Sequence, residues 1–198
     1  MLFRSGEGAG KSTIAAFLKQ TLGAKEWLIT RAAGSPFGEE IRELLVSDDA
    51  KELAIESRFF LWWSAHIDHI FKVVEPALAG GVSVISDRFD ASIFAYQVHA
   101  ENASHLKEIF RETREKICTH VHPNLYIFLD IPPKEGFKRF ERTQKKLDYF
   151  EKRPLDFHER VREGYKEFFK NVPHAVVDAN HPLEEVQEEV LAIIQKQL

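Results

Sequence analysis

Short apolar runs and longer helical stretches alternate along this chain. The runs are Trp27-Leu28-Ile29-Thr30, Val82-Ser83-Val84-Ile85-Ser86, Leu125-Tyr126-Ile127-Phe128-Leu129 and Ala175-Val176-Val177, with Met1-Leu2-Phe3 as a short fifth. They are nearly continuous in apolar residues, the pattern of strands buried on both faces. Each gives way to polar, Gly or Pro residues and then to helical pattern, at residues 11–22, 36–46, 51–78, 103–120, 133–142, 155–169 and 182–198. Strands joined by helical crossovers form a parallel sheet. The expectation is an α/β fold, a five-stranded parallel sheet flanked by helices in three layers.

A chain of 198 residues fits one domain, 1–198, and is long enough to bury a substantial core. Hydrophobic residues at 44% and charged residues at 29% give the ordinary globular balance, which excludes a disordered or collagen-like chain. A net charge of −4 provides no bulk basic field for nucleic acid or an anionic membrane, so any phosphate must be bound by local placement. No apolar run has the length of a bilayer span, and the first six residues contain no apolar signal core, so a cytoplasmic protein is expected. The single Cys118 cannot form an internal disulfide. With His120 and His122 it alternates soft ligands that could hold zinc, but no fourth ligand is evident.

The sharpest motif is Ser5-Gly6-Glu7-Gly8-Ala9-Gly10-Lys11-Ser12-Thr13, a glycine-rich turn running into a helix. Glycines let the backbone curl its N–H groups inward around phosphates, and the helix N-terminus adds a positive dipole end. Lys11 would reach the β- and γ-phosphates and the Ser12 hydroxyl would ligate Mg²⁺. The full pattern has Gly where this chain has Ser5, so the match is one residue short. The second motif is Asp87-Arg88-Phe89, directly after the run 82–86. Ligands of open α/β sheets bind at the carboxyl ends of strands. There Asp87 can hold Mg²⁺ or its water, and Arg88 can grip a phosphate with two parallel hydrogen bonds.

With these residues in place, the chain resembles the thymidylate kinases. The matching stretches are Gly6 to Thr13, Gly38-Glu39-Glu40-Ile41-Arg42-Glu43-Leu44-Leu45, Pro76-Ala77-Leu78, Val84-Ile85-Ser86-Asp87-Arg88-Phe89 and Ser92 with Ala95-Tyr96-Gln97. Further on come Leu129-Asp130-Ile131-Pro132-Pro133 and Phe157-His158-Glu159-Arg160-Val161-Arg162-Glu163-Gly164-Tyr165. The ordered set covers nearly the whole chain. The resemblance implies a P-loop kinase fold with a small lid at about 138–151, Mg²⁺, a homodimer built on helices, and transfer of a phosphoryl group from ATP to dTMP. It implies that residues 5–13 bind ATP and that Lys11 and Ser12 serve its phosphates and Mg²⁺. Glu7 would face the acceptor sugar, and Arg42 and Arg88 would bind the acceptor phosphate. Tyr96 would lie against the deoxyribose, with Gln97 and Ser92 lining the nucleoside pocket. Asp87 would be a metal or orientation residue.

Some members carry an Arg at the P-loop position of Gly8, so the missing charge should come from Arg139 or Arg142 in the lid, with Lys145 and Lys146 next. The candidate catalytic residues are then Lys11, Asp87, Arg88, Arg139 and Arg142. Other departures are Arg4-Ser5 for the family's Glu-Gly and Arg31-Ala32-Ala33-Gly34-Ser35 for Arg-Glu-Pro-Gly-Gly. Trp62 aligns with a base-stacking Phe and His66 with a base-contacting Arg, although Trp63 could take the place of Trp62 if the alignment shifts by one. Asp68 and His69 are expected on a solvated or dimer-facing surface. Two other functions stay open on the residues alone: a nucleoside monophosphate kinase with altered base preference, motivated by His66, and a nucleotide-binding module with weakened turnover, motivated by Arg4-Ser5 and Ala32-Ala33.

Overall fold

A computed structural model describes residues 2–4, 8–23, 26–119, 121–141 and 147–197. Its strands are β1 (Leu2–Arg4), β2 (Trp27–Arg31), β3 (Ser83–Asp87), β4 (Tyr126–Asp130) and β5 (His174–Asp178). The helices are α1 (Lys11–Thr21), α2 (Pro36–Val46), α3 (Ile55–His69), α4 (Glu75–Ala79), α5 (Asp90–Ile93), α6 (Lys107–Ile117), α7 (Pro133–Glu141), α8 (Leu155–Phe169) and α9 (Leu183–Gln195). The strands pair in parallel in the order β2-β3-β1-β4-β5.

Successive strand residues face opposite sides of the sheet, and the core divides accordingly. Ile85, Ile127, Leu129 and Val177 pack on Ile14 and Leu18 of α1 and on Val186, Val190 and Ile194 of α9. Val84, Tyr126 and Phe128 face the other way, toward Phe59 and Trp63 of α3 and Phe157, Val161, Tyr165 and Phe169 of α8. The chain leaves β1 toward β2 on one side and leaves β3 toward β4 on the other. The crevice of such a sheet therefore opens between the carboxyl ends of β1 and β3.

The long helix expected over 51–78 is built in pieces. Residues Asp48–Glu52 form a 3₁₀ turn capped by Ser47, and α3 begins at Ile55. A π-helical turn, Ile70–Val74, joins α3 to α4 just before Pro76, which has no N–H to give the carbonyl four residues back. A helical segment that sequence patterning missed runs through α5 into a second π-helical stretch, Phe94–Ala100. The Asp90 carboxylate, fully buried at its start, accepts from Arg114 Nε (2.6 Å) and the Tyr126 hydroxyl (2.9 Å). These contacts fix the end of the segment from which Ser92, Tyr96 and Gln97 project. No helix among the described residues is long and apolar enough to cross a membrane.

His69, expected at the surface, is fully buried at the end of α3, with its ring against Gly34. Burial pushes its imidazole down to about 4, against the weaker opposing pull of Asp68 and Glu39. In the unfolded chain the group titrates near 6.5, so below that pH the unfolded state takes up a proton that the native state refuses. Stability should therefore fall as pH drops from about 6.5 toward 4, by about 2–3 kcal/mol at pH 4.5 from this residue. Urea unfolding at pH 7.5 and 4.5 checks this, since His69→Leu should remove most of that difference. An equal pH loss in the variant would assign the acid sensitivity elsewhere.

Candidate active site

The loop between β1 and α1 enters its helix through two glycines in the left-handed region, Gly8 (φ 72°) and Gly10 (φ 82°). Side chains rarely adopt such angles, so the glycines set the curl of the loop. Gly10 is the N-cap of α1, with no side-chain cap and no acidic residue in the first turn, so no carboxylate of that turn offsets the positive end of the helix. Lys11 is half-buried there, and the Ser12 and Thr13 side chains are exposed. Gly8 also makes a close approach to α7: a Cβ added to it would lie 2.0 Å from the Gly136 carbonyl oxygen. Ser5, Gly6 and Glu7 lie outside the described residues.

Across the crevice, β3 ends in Asp87, paired in register with Phe3 of β1. Its Oδ1 is buried with no hydrogen-bond partner among the described residues. Arg88 follows with φ 71°, and Ala33 opposite it on the β2 side has φ 59°. Non-glycine residues in this region carry strain that the surroundings must hold, a frequent property of binding sites. Here the holding groups are visible. The Ser86 hydroxyl donates to the Arg88 carbonyl (2.8 Å), and the Ala32 N–H donates to the Asp87 carbonyl (2.8 Å). The Arg88 guanidinium lies over the Tyr96 ring at 5.0 Å and 3.4 Å from the Tyr165 hydroxyl, which also pairs with Ser92 (2.9 Å).

These groups open into one pocket. Arg42, Trp62, His66, Arg88, Ser92, Tyr96 and Gln97 all line it, brought from α2, α3 and the segment after β3. Trp62 lines the pocket, whereas Trp63 is buried in the core against Phe59 and Phe110. His66 is buried with its ring edge-on to Phe89, centroids 4.1 Å apart. Sequence reasoning missed Asp148 and Phe150, which close the pocket from the turn after α7; Phe150 stands 6.3 Å from Trp62 and edge-on to Tyr96 at 5.6 Å. The signal available was Asp148-x-x-Glu151, whose side chains cap each other's backbone N–H groups at 2.8 Å.

One end of the pocket is cationic. Burial, and after it the nearby Arg31 and Arg88 charges, draw the Arg42 guanidinium below its ordinary value, against Glu39 and Asp148. Arg31 is held by Glu39 at 2.7 Å. Such crowded guanidiniums suit a multiply charged anion with oxygens for both.

Arg139 on α7 donates to the carbonyls of Ala179 (2.5 Å) and Asn180 (3.2 Å), which places its charge beside the turn after β5. Arg142, Lys145 and Lys146 lie outside the described residues, as does His120. Burial pushes the Cys118 thiol up to about 12, so it is protonated at neutral pH.

The glycine loop at a helix N-terminus, facing a strand-end carboxylate and an arginine-lined pocket, defines a nucleotide-binding P-loop protein of the α/β class. The family model for thymidylate kinase matches residues 6–190, and the chain belongs to that family, whose fold is that of the P-loop kinases. It is 36% identical over 196 residues to the thymidylate kinase of Chlamydia caviae, covering 93% of this chain and 91% of that one. The Afipia carboxidovorans enzyme is 36% identical over 205 residues, 99% and 88% of the two chains, and that of Protochlamydia amoebophila 32% over 204 residues, 97% and 90%.

Proposed function

We propose that this protein transfers the γ-phosphoryl group of ATP to dTMP, giving ADP and dTDP. The observation that carries the reading is the pocket. It brings the guanidiniums of Arg42 and Arg88 together with the rings of Trp62, Tyr96 and Phe150, with Arg88 lying over the Tyr96 ring. A phosphorylated pyrimidine nucleoside has groups for both. An acceptor phosphate oxygen would attack the γ-phosphorus as the bond to the β–γ bridging oxygen breaks and ADP leaves. The acceptor arrives already ionised, so no strong base is needed, and the work is positioning and charge stabilisation.

In this reading residues 5–13 cradle ATP, with Lys11 against its phosphates. Arg42 and Arg88 hold the acceptor phosphate, Trp62 stacks on the base, and Tyr96, Gln97 and Ser92 frame the sugar and base. The lid carries Arg139 and Arg142, and Arg139 must release the Ala179 and Asn180 carbonyls to reach the transferring phosphate. Mg²⁺, when bound, screens the phosphate charge. The Ser12 hydroxyl and the unpartnered Asp87 Oδ1 are hard oxygen donors that fit it. Phe37 and Leu44 of α2, Phe60 of α3 and Phe71 beyond it leave large apolar side chains exposed, and we assign this surface to a homodimer, testable by mass from light scattering. With ATP and dTMP as its substrates, we assign the protein to the cytoplasm.

The test is ADP release with dTMP, dUMP, dCMP and purine monophosphates. Trp62 stacks on any pyrimidine, and His66 cannot make the two-point grip of an Arg, so dUMP should be phosphorylated detectably. One methyl in an apolar pocket is worth about ten- to two-hundred-fold, so dTMP should lead by that factor in kcat/KM. Equal rates across all acceptors, or none with dTMP, would refute the assignment.

A further inference from the structure

Asp148 and Phe150 belong to a turn, residues 147–153, that lies between α7 and α8 and reaches the pocket. Its tether is a charge cluster under the pocket wall. Arg153 donates through Nη1 and Nη2 to the two carboxylate oxygens of Glu101, at 2.9 and 3.2 Å. Arg58 Nη2 donates to the same carboxylate at 3.1 Å. The Glu101 and Arg58 side chains are only 8% and 5% exposed, so these bonds work in a poorly hydrated setting and are worth more than surface ion pairs. Arg153 also lies over the Phe157 ring at 4.1 Å and donates to the Tyr149 hydroxyl at 3.1 Å. Further ties of the turn include the Tyr149 N–H to the Val46 carbonyl, an exposed Lys152–Asp48 pair, and the packing of Phe150 on Trp62 and Tyr96.

Glu101 thus joins three walls. It directly follows the π-helical stretch that carries Tyr96 and Gln97. Through Arg58 it holds α3, one turn before Trp62 and two before His66. Through Arg153 it holds the turn that carries Asp148 and Phe150. We propose that Glu101 is a positioning residue for the acceptor nucleotide, and that its bond to Arg153 seats Phe150 and Asp148 over the base and sugar. The proposal rests on the pocket being the dTMP site. Removing Arg153 leaves the Glu101–Arg58 pair in place, so the walls stay folded while the turn loses its tether. A slot misplaced by about an ångström binds and orients its ligand poorly.

The experiment compares KM for dTMP, KM for ATP at saturating dTMP, and kcat in wild type, Arg153→Met, Arg153→Lys and Glu101→Gln, with Arg42→Ala alongside. Arg153→Met should raise KM for dTMP about tenfold while KM for ATP stays within about twofold. Arg153→Lys, which keeps one charged bond, should fall between. Glu101→Gln should act in the same direction and more strongly if it folds; if it does not, the two Arg153 variants carry the test. An unchanged KM for dTMP in Arg153→Met overturns the proposal, as does a parallel rise in both KM values, which marks general damage. If Arg42→Ala raises KM for dTMP while Arg153→Met does not, the pocket stands and the tether falls. If neither does, both fall.

Discussion

Lys11→Ala should lower turnover by roughly a hundredfold or more while the protein stays folded. The reason lies in where the side chain starts. It is the first residue of α1, at a helix end with no acidic residue in its first turn, next to a loop whose curl is set by Gly8 and Gly10. A cation fixed there meets the charge of the transferring phosphate without reorganising, and in a site shielded from water such a contact is worth several kcal/mol. Circular dichroism and melting temperature should match wild type, because the half-buried Lys11 makes no part of the apolar core. Near-normal turnover in a folded Lys11→Ala protein would remove the P-loop from the mechanism.

Gly8→Ala should be nearly as damaging, although it removes no charge. The new methyl would sit 2.0 Å from the Gly136 carbonyl oxygen, and Gly136 is held within α7, its own N–H bonding to the Pro132 carbonyl. A backbone so held cannot step aside, so the loop must uncurl or α7 must shift. Either change misplaces the ATP phosphates, and a loss of roughly a hundredfold in kcat/KM for ATP is expected. Gly10→Ala is the internal comparison. Its φ of 82° is just as unfavourable, yet among the described residues nothing lies within 4 Å of the added atom. It should suffer only the conformational strain of about 1–2 kcal/mol, or roughly five- to thirtyfold. Equal losses in the two variants would show that dihedral strain, not contact with α7, governs this loop.

Much of this arrangement was readable from the residues because burial writes itself into pattern. The cores of β3 and β4 are apolar on both faces, so they stood out as continuous runs. α8 was delimited correctly because its buried positions Phe157, Val161, Gly164, Tyr165 and Phe168 repeat at helical spacing. The segment 90–100 escaped for the opposite reason. It is buried nearly all round and partly π-helical, so no polar face alternates with an apolar one and the 3.6-residue period is lost. His69 was misplaced because Asp68 beside it drew the eye to solvent, although neighbours on a helix point about 100° apart. Phe150 and Asp148 lie some fifty residues beyond Gln97, and long-range contacts such as the Arg153–Glu101 bond and the packing of Phe150 on Trp62 and Tyr96 bring them to the pocket. No local spacing records such a contact.

The pairing of β1 with β3 settles which parts of the pocket region can move. Phe3 is in register with Asp87, so the strand that feeds the phosphate loop and the strand that ends in Asp87-Arg88 are hydrogen-bonded neighbours in the middle of the sheet. On the proposed assignment, donor and acceptor sites share one floor held by this ladder. Opening and closing must fall to the roof, which is α7 and the turn at 147–153, attached by side chains rather than by strand pairing. Substitutions in the floor should then register in the chemical step, and substitutions in the roof in how fast substrates enter and products leave.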